Sequence, residues 1–530
     1  MVNKREKYIL AIDLGTSGPK SALVSTRGEV VDYQFEDVEL LILPDGGAEQ
    51  RPQDWWQAII RTLKAVLEKQ LVSAEDIVAI NCTSQWSGTV ALDADGNHLM
   101  NAIIWLDTRG SPYVKSIADG LIKVEGYNLA KLMKWLSLTG GAPGQSGKDS
   151  IGHILFLKHE YPDIYQKTYK FLEPLNYLNF RFTGKYASSY DAMTLHWLTD
   201  NRDITNIQYH DGLLKMATVE REKFPDLKRP NEILGTLTKE LARELGLSNE
   251  VQVVIGSPDV PCAAVGSGAV KDYDGHLYIG TSSWLTCHVP YKKTDIFHGI
   301  ASLPAAIPGR YFVANEQETA GKCLTYLRDN ILFHQDDLLV EPSPLDVFKI
   351  FDKIAASVPA GSNKVIFTPW LFGERTPVED HSVRAAIFNQ SLSTTREHII
   401  RAVFEGVAYN TKWLLGYIEK FINQRMEQIR FIGGGAKSEV WCQILADVLD
   451  RDILQVHDPI KANIKGAAFL ASAALGHINY DEIPALTPID KTFKPDPQHR
   501  KIYDELFREF LNIYKANKKI YARLNRRKQK

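Results

Sequence analysis

Residues 8–20, Tyr-Ile-Leu-Ala-Ile-Asp-Leu-Gly-Thr-Ser-Gly-Pro-Lys, decide the fold. The run is apolar from Tyr8 to Ile12, takes on a carboxylate at Asp13 and turns at Gly15-Thr16-Ser17. A short apolar run bounded by turn residues predicts a buried strand. Ser21 to Val24 resumes an extended pattern, residues 26–29 turn again, and Val30 opens a third strand. That is an antiparallel meander, not a strand-to-helix crossover. No GxGxxG opens a helix after the first strand, which disfavours a dinucleotide fold. Nor does the turn have the GxxxxGK[ST] spacing of a Walker A loop.

The pattern returns in the second half of the chain. Val251 to Ile255 reads as a strand ending at Gly256-Ser257-Pro258-Asp259, with helix-compatible residues from Cys262 to Val265. Leu277 to Ile279 is a strand that runs into Gly280-Thr281-Ser282-Ser283, and Trp284 to Val289 is extended again. Strand, Gly-Thr-Ser turn, strand thus occurs twice, which predicts two similarly built α/β halves, residues 1–250 and 251–530. Between and after these lie a helix over Trp55 to Gln70, started by Pro52 and Asp54, a strand over Asp76 to Cys82, and a hairpin from Val90. A long amphipathic helix spans Thr394 to Phe421. A strand at Ile429 to Ile432 enters Gly433-Gly434-Gly435 and a helix over Glu439 to Leu449, and an Ala-rich helix covers Gly466 to Leu475.

Composition narrows the function. The 530 residues carry 62 basic and 64 acidic side chains, a net charge of -2, so no global field favours nucleic acid or an anionic membrane. Five cysteines without a CxxC pair fit a reduced, cytoplasmic setting and no zinc site. No stretch reaches the ~20 apolar residues of a membrane span. The basic run Arg523 to Lys530 reads as a solvated tail. His153, His276 and His457 stand alone, without metal-ligand spacing.

Glycine lets backbone N–H groups approach an anion, and hydroxyls add donors, so Thr16, Ser17, Gly280, Thr281 and Ser282 are candidate phosphate contacts, with Lys20 neutralising charge. Either turn alone reads first as an ordinary hairpin; two at matching places can grip one polyphosphate from both sides. Asp13 is a candidate for Mg²⁺, usually held through water, or a turn-forming residue. Asp259 can accept a proton from a substrate hydroxyl, or cap the helix after it. Gly434, Gly435 and Ser438 offer bare backbone to a nucleotide, or make a tight connection. Gln85, Trp86 and Ser87, with Asp107 and Arg109, can hold a sugar; Asp107 and Arg109 can equally form a structural ion pair. Residues 372–377, Phe-Gly-Glu-Arg-Thr-Pro, form a polar loop with an ion-pair reading of its own.

AIDLGTSGPK (11–20), WLDTRG (105–110), GSPD (256–259), YIGTSS (278–283), LFGERTP (371–377) and GGGAKSEVWCQILADVL (433–449) occur in an order that resembles the FGGY family of carbohydrate kinases over nearly the whole chain. The Trp-x-Asp-x-Arg and Gly-Glu-Arg-Thr-Pro segments are most similar to its xylulokinase branch. The resemblance implies two actin-like (ribonuclease H-like) domains around a deep cleft, with ATP and Mg²⁺ between them. It implies Asp259 as catalytic base, Asp13 and Asp259 as metal-associated carboxylates, Thr16 to Lys20 and Gly280 to Ser282 as phosphate loops, and Gly434, Gly435 and Ser438 at the nucleotide end. Trp86 and Ser87, joined by Asp107, match the sugar contacts. The expected substrate is D-xylulose, with ribulose, gluconate, erythritol and glycerol as alternatives. The expected partners are a small sugar or polyol and a second copy in a homodimer. An actin-like ATPase without a sugar is the reading from another class. Three departures stand out: Gln85-Trp86-Ser87-Gly88 where many xylulokinases read Gln-Met-His-Gly, Val260 where an Asn is common, and Pro19 in the first loop.

Overall fold

The computed structural model describes residues 6–339 and 341–525; residues 526–530, most of the basic tail, lie outside them. The first sheet contains β1 (Tyr8–Gly15), β2 (Gly18–Ser25), β3 (Val30–Phe35), β4 (Ile77–Ser84), β5 (Ile233–Thr236) and β6 (Gln252–Val254), in the order β5-β6-β4-β1-β2-β3. β1, β2 and β3 form the antiparallel meander, while β4 lies parallel to β1 and β6 parallel to β4. The strand β6 falls just past the sequence-based division at 250/251, yet it belongs to the first sheet.

The second sheet repeats this plan. It contains β7 (Gly275–Ile279), β8 (Ser283–Thr286), β9 (Gln428–Ile432), β10 (Asp452–Val456) and β11 (Ile489–Phe493), in the order β8-β7-β9-β10-β11. Again a hairpin of two antiparallel strands starts it, and two parallel strands follow. Parallel strands need covered faces, and both faces of β1 are covered. Leu10, Ile12 and Leu14 pack under α1 (Pro52–Leu67), whose Trp55, Ile59, Leu63 and Val66 recur at helical spacing. Ile9 and Ala11 point the other way, with Ala22, Val24 and Ala79, against Ala467, Ala468 and Ala471.

Those alanines belong to a helix, Ala462–Ala474, that lies far along the chain yet roofs the first sheet. Asn81 Nδ2 donates to the Ala467 carbonyl at 2.7 Å, and Ser472 Oγ to the Thr26 carbonyl at 2.6 Å. The helix Asp259–Gly266 runs beside it so closely that a Cβ on Gly266 would sit 1.8 Å from the Ala462 carbonyl oxygen, and one on Gly466 2.1 Å from that of Cys262. Small residues are what allow this approach, which seats the start of the helix bearing Asp259 between the two sheets. A smaller four-stranded sheet over residues 288–314 contributes Leu303 and Phe312 to a core otherwise built from the helical part of the first half.

Local differences from the sequence reading have simple causes. The first helix begins at Pro52 and ends at Leu67, because Gln70 adopts a left-handed φ of 50°. Val90–Leu92 pairs chiefly with Lys170–Leu172, although the turn after it also closes back through a Leu92–His98 bridge. Asp259 is the first helical residue rather than the cap, which is Pro258.

Candidate active site

The β1–β2 register sets the first half of the site. Asp13 pairs with Lys20 across the hairpin, and Gly15 with Gly18, so Thr16 and Ser17 form the tip. Gly18 has φ 144°, and a Cβ there would collide with the Glu36 carbonyl at 2.0 Å. Asp13 is buried, and Lys20 Nζ stands 3.1 Å from its Oδ2. The carboxylate, aided more weakly by Asp259, holds the Lys20 pKa above its ordinary value against the cost of burial. The lysine is therefore a permanent cation beside the turn.

Asp259 enters from the helix at the start of the second half. It is partly accessible at the cleft, and its Oδ1 accepts the Val260 N–H at 2.9 Å. Desolvation, then Asp13 and, more weakly, Glu316 push its pKa up to about 7, against the Val260 hydrogen bond. Two carboxylates from opposite halves thus share one field. The second turn faces the same field: Tyr278, stacked on Trp284 at 3.9 Å beneath the Gly280–Ser282 turn, has its pKa raised to about 12 by burial first and then by Asp259 and Asp13. Thr281 is exposed at the tip of that turn, as Ser17 is at the other.

The glycine run sits behind this second turn. Gly433 has φ 88° and ψ -176°, and a Cβ there would lie 2.5 Å from the Ile279 carbonyl. Gly435 is pressed on the Ile279 side chain, whereas Gly434 is exposed, and a Cβ there would meet nothing within 4 Å. Gly434 is the bare surface of the run. Ser438 is committed otherwise: its Oγ accepts the Trp441 N–H at 3.0 Å as the cap of the helix Glu439–Leu449 and donates to Asp352 at 2.6 Å.

The sugar candidates divide into two groups. Gln85 is tied to the first hairpin, since Thr16 Oγ1 donates to Gln85 Oε1 at 3.1 Å. Trp86 and Ser87 follow it at the end of β4, with Trp86 6.0 Å from the Phe312 ring. Asp107 and Arg109, by contrast, are saturated with each other. Asp107 accepts Ala48 N–H at 3.0 Å, Arg109 N–H at 2.8 Å and the Arg109 guanidinium at 2.6 Å, and the same guanidinium reaches Glu49 at 2.6 Å. Both side chains are buried, so the ion-pair alternative describes their contacts.

Several site neighbours escaped the sequence reading. Gln50 donates to the Thr16 carbonyl at 2.8 Å and accepts from Gln85 Nε2 at 2.8 Å, while Trp105 Nε1 donates to Thr16 Oγ1 at 3.0 Å. Glu316 pairs with Arg375, which also pairs with Glu318, and Glu318 faces Lys148 of the first half at 3.7 Å. Buried Glu374 accepts the backbone N–H groups of Glu318 (3.0 Å) and Arg375 (2.9 Å). The Gly-Glu-Arg-Thr-Pro loop therefore holds residues 316–318, of which Glu316 acts on Asp259. A Gln before a helix or a lone Glu in a loop carries no pattern; the Trp105 motif and the 372–377 loop, whose ion-pair reading describes the contacts of Arg375, offered the handles.

Residues 8–266 match the N-terminal domain, and residues 276–475 the C-terminal domain, of the FGGY family of carbohydrate kinases, so the chain belongs to that family. It is a sugar kinase with the family's two-domain α/β fold of actin-like (ribonuclease H-like) halves. The chain is 28% identical to the xylulose kinase of Staphylococcus epidermidis (98% of this chain, 99% of that protein) and 28% to that of Bacillus subtilis (98% and 99%). It is 25% identical to the gluconokinase of Bacillus subtilis (98% and 97%). Among solved structures, it is similar to a gluconate kinase from Lactobacillus acidophilus (TM-score 0.85, 24% identity, covering 98% of this chain and 100% of that one) and to a ligand-bound xylulose kinase from the same organism (TM-score 0.85, 23% identity, 98% and 100%).

Proposed function

We propose that the chain transfers the γ-phosphoryl group of ATP to a hydroxyl of D-xylulose, giving D-xylulose 5-phosphate. The observation that carries the transfer is the meeting of Asp259 with Asp13 and Lys20. A carboxyl titrating near 7 is poised to take a proton from a hydroxyl at neutral pH. Asp259 then accepts the hydroxyl proton, Lys20 balances phosphate charge, and the exposed tips Ser17 and Thr281 with their backbone N–H groups bracket the phosphates from the two halves. Residues 1–250 hold the sugar and the first hairpin; residues 251–530 supply the base, the second hairpin and, at Gly434, the seat of the nucleoside.

Mg²⁺ fits the same place. Asp13 and Asp259 repel each other, and a divalent cation held by the two would relieve that repulsion. When bound, it neutralises the phosphate oxygens, and the two aspartates would hold it through its waters.

The sugar loop favours a neutral acceptor over an aldonate. The Ser87 hydroxyl donates to the Lys148 carbonyl at 2.9 Å and the Trp86 indole N–H to the Ala192 carbonyl at 3.0 Å. Their remaining faces accept hydrogen bonds or pack against C–H groups, which suits hydroxyls and not a carboxylate. The test is a panel of D-xylulose, ribulose, erythritol, glycerol and gluconate with ATP, scored by sugar-dependent ADP formation. D-xylulose is expected to give the highest kcat/KM. No acceleration by any of them would sink the kinase reading for this site, and a preference for gluconate would sink the xylulose reading.

A further inference from the structure

Behind Trp86-Ser87-Gly88 lies a buried polar cluster that phosphoryl transfer does not use. Glu173, at the N-terminal cap position of the helix Pro174–Thr183, is 1% exposed, with the apolar Leu172 and Leu175 on either side of the Glu173-Pro174 pair fully buried. Its Oε2 accepts the Gly88 N–H at 2.9 Å, and its Oε1 takes the Ser150 hydroxyl. His196 Nδ1 lies 3.6 Å from Oε1, beyond hydrogen-bond range, and His153 meets Thr89 Oγ1 at 3.3 Å. Desolvation pushes both imidazoles down to about 3 and Glu173 up to about 8, so the cluster holds little charge near neutrality.

A buried carboxyl is costly in either protonation state, and an apolar side chain at this place would avoid that cost. What Glu173 supplies is a closed ring of contacts. Ser87 Oγ binds the Lys148 carbonyl; two residues on, Ser150 binds Glu173; and Glu173 binds the N–H of Gly88, the neighbour of Ser87. The ring holds a loop that is otherwise unfavourable. Ser87 sits at φ 63°, and Gly88 is pressed so hard on Pro174 that a Cβ would lie 2.5 Å from its Cγ.

We infer that Glu173 is a positioning residue for the sugar, fixing Trp86 and Ser87 in the orientation that presents the Ser87 lone pairs and the indole face to a hydroxylated substrate. The inference rests on the reading of Trp86 and Ser87 as sugar contacts. Its consequence is that Glu173 governs sugar affinity and leaves ATP binding alone.

Steady-state kinetics with D-xylulose and ATP on Glu173→Leu, Glu173→Gln, Ser150→Ala and Ser87→Ala test it, with thermal unfolding as the check on folding. Glu173→Leu is expected to raise the sugar KM about 10-fold or more, with kcat within about threefold and the ATP KM unchanged. Glu173→Gln restores most of the sugar KM, because its carbonyl can accept from Gly88 while its amide donates to Ser150. Ser150→Ala opens the same ring more gently and decides the matter if Glu173→Leu does not fold. A wild-type sugar KM in the folded Leu variant, or in Ser150→Ala where that variant alone folds, overturns the inference. So does a matched loss in sugar KM, ATP KM and kcat, the mark of a merely structural role. Ser87→Ala separates the two levels. If it raises the sugar KM and Glu173→Leu does not, only the positioning role fails; if it leaves the sugar KM unchanged, the sugar-loop reading fails and takes the inference with it.

Discussion

Asp259→Asn keeps the shape of the side chain and removes its ability to take a proton. As a general base the carboxylate is worth about 10²–10⁴-fold in kcat, and the loss should fall on turnover, with the sugar KM little changed. The same substitution should make the protein more stable. A carboxyl that titrates near 7 folded and 3.8 unfolded destabilises the fold, once ionised, by at most about 4 kcal/mol. Water at the cleft lowers that to about 1–2 kcal/mol. The sign follows from the raised folded pKa. Below pH 4 the group is protonated in both states and costs nothing; the penalty accumulates between about pH 4 and pH 7 and is constant above. Asn escapes it, so the variant should melt about 1–2 °C higher than wild type at pH 8 and level with it near pH 4. Wild-type activity should rise with pH through about 7 as the base ionises. Sugar-dependent ADP formation and thermal melts at the two pH values check both halves. Wild-type turnover in the variant would refute the assignment of the base. Lost turnover without a pH-dependent gain in stability would refute the desolvated carboxyl from which its role is argued.

Lys20→Met removes the cation beside the first hairpin and should lower kcat/KM for ATP by about 10²-fold, leaving sugar affinity unchanged; equal losses for both substrates would count against a phosphate role. The glycine run should split by position. Gly433→Ala forces a left-handed residue against the Ile279 carbonyl and should cost about 1–3 kcal/mol of stability. Gly434→Val meets open space, so it should fold as wild type and raise the ATP KM; melts and nucleotide kinetics distinguish the pair.

Much of the fold can be read from residues that carry local patterns. The hairpin around Gly15 is legible because apolar run, turn and apolar run lie within a few residues, and the Gly280 hairpin because it repeats them. The helices Arg396–Ile422 and Glu439–Leu449 follow from the local run of residues, close to the predicted bounds. Asp13 and Lys20 pair because a two-residue turn fixes the register across one hairpin. These features depend on neighbours in sequence, and a sequence states its neighbours.

What only the tertiary structure decides is which distant parts meet. The Ala-rich helix Ala462–Ala474 is predictable as a packed helix, yet nothing in its composition says that it roofs the sheet that starts at Tyr8, at the other end of the chain. Asp259 has the ordinary pKa of an aspartate until folding desolvates it and brings Asp13 beside it. Asp107 and Arg109 are sugar candidates in the sequence and become one saturated ion pair when Glu49 and Ala48 arrive. Nothing in the sequence singles out Glu173; only the fold sets its carboxyl under Gly88. Electrostatic energy and hydrogen-bond satisfaction depend on through-space distance and on exclusion of water, and both come into being with the packed chain.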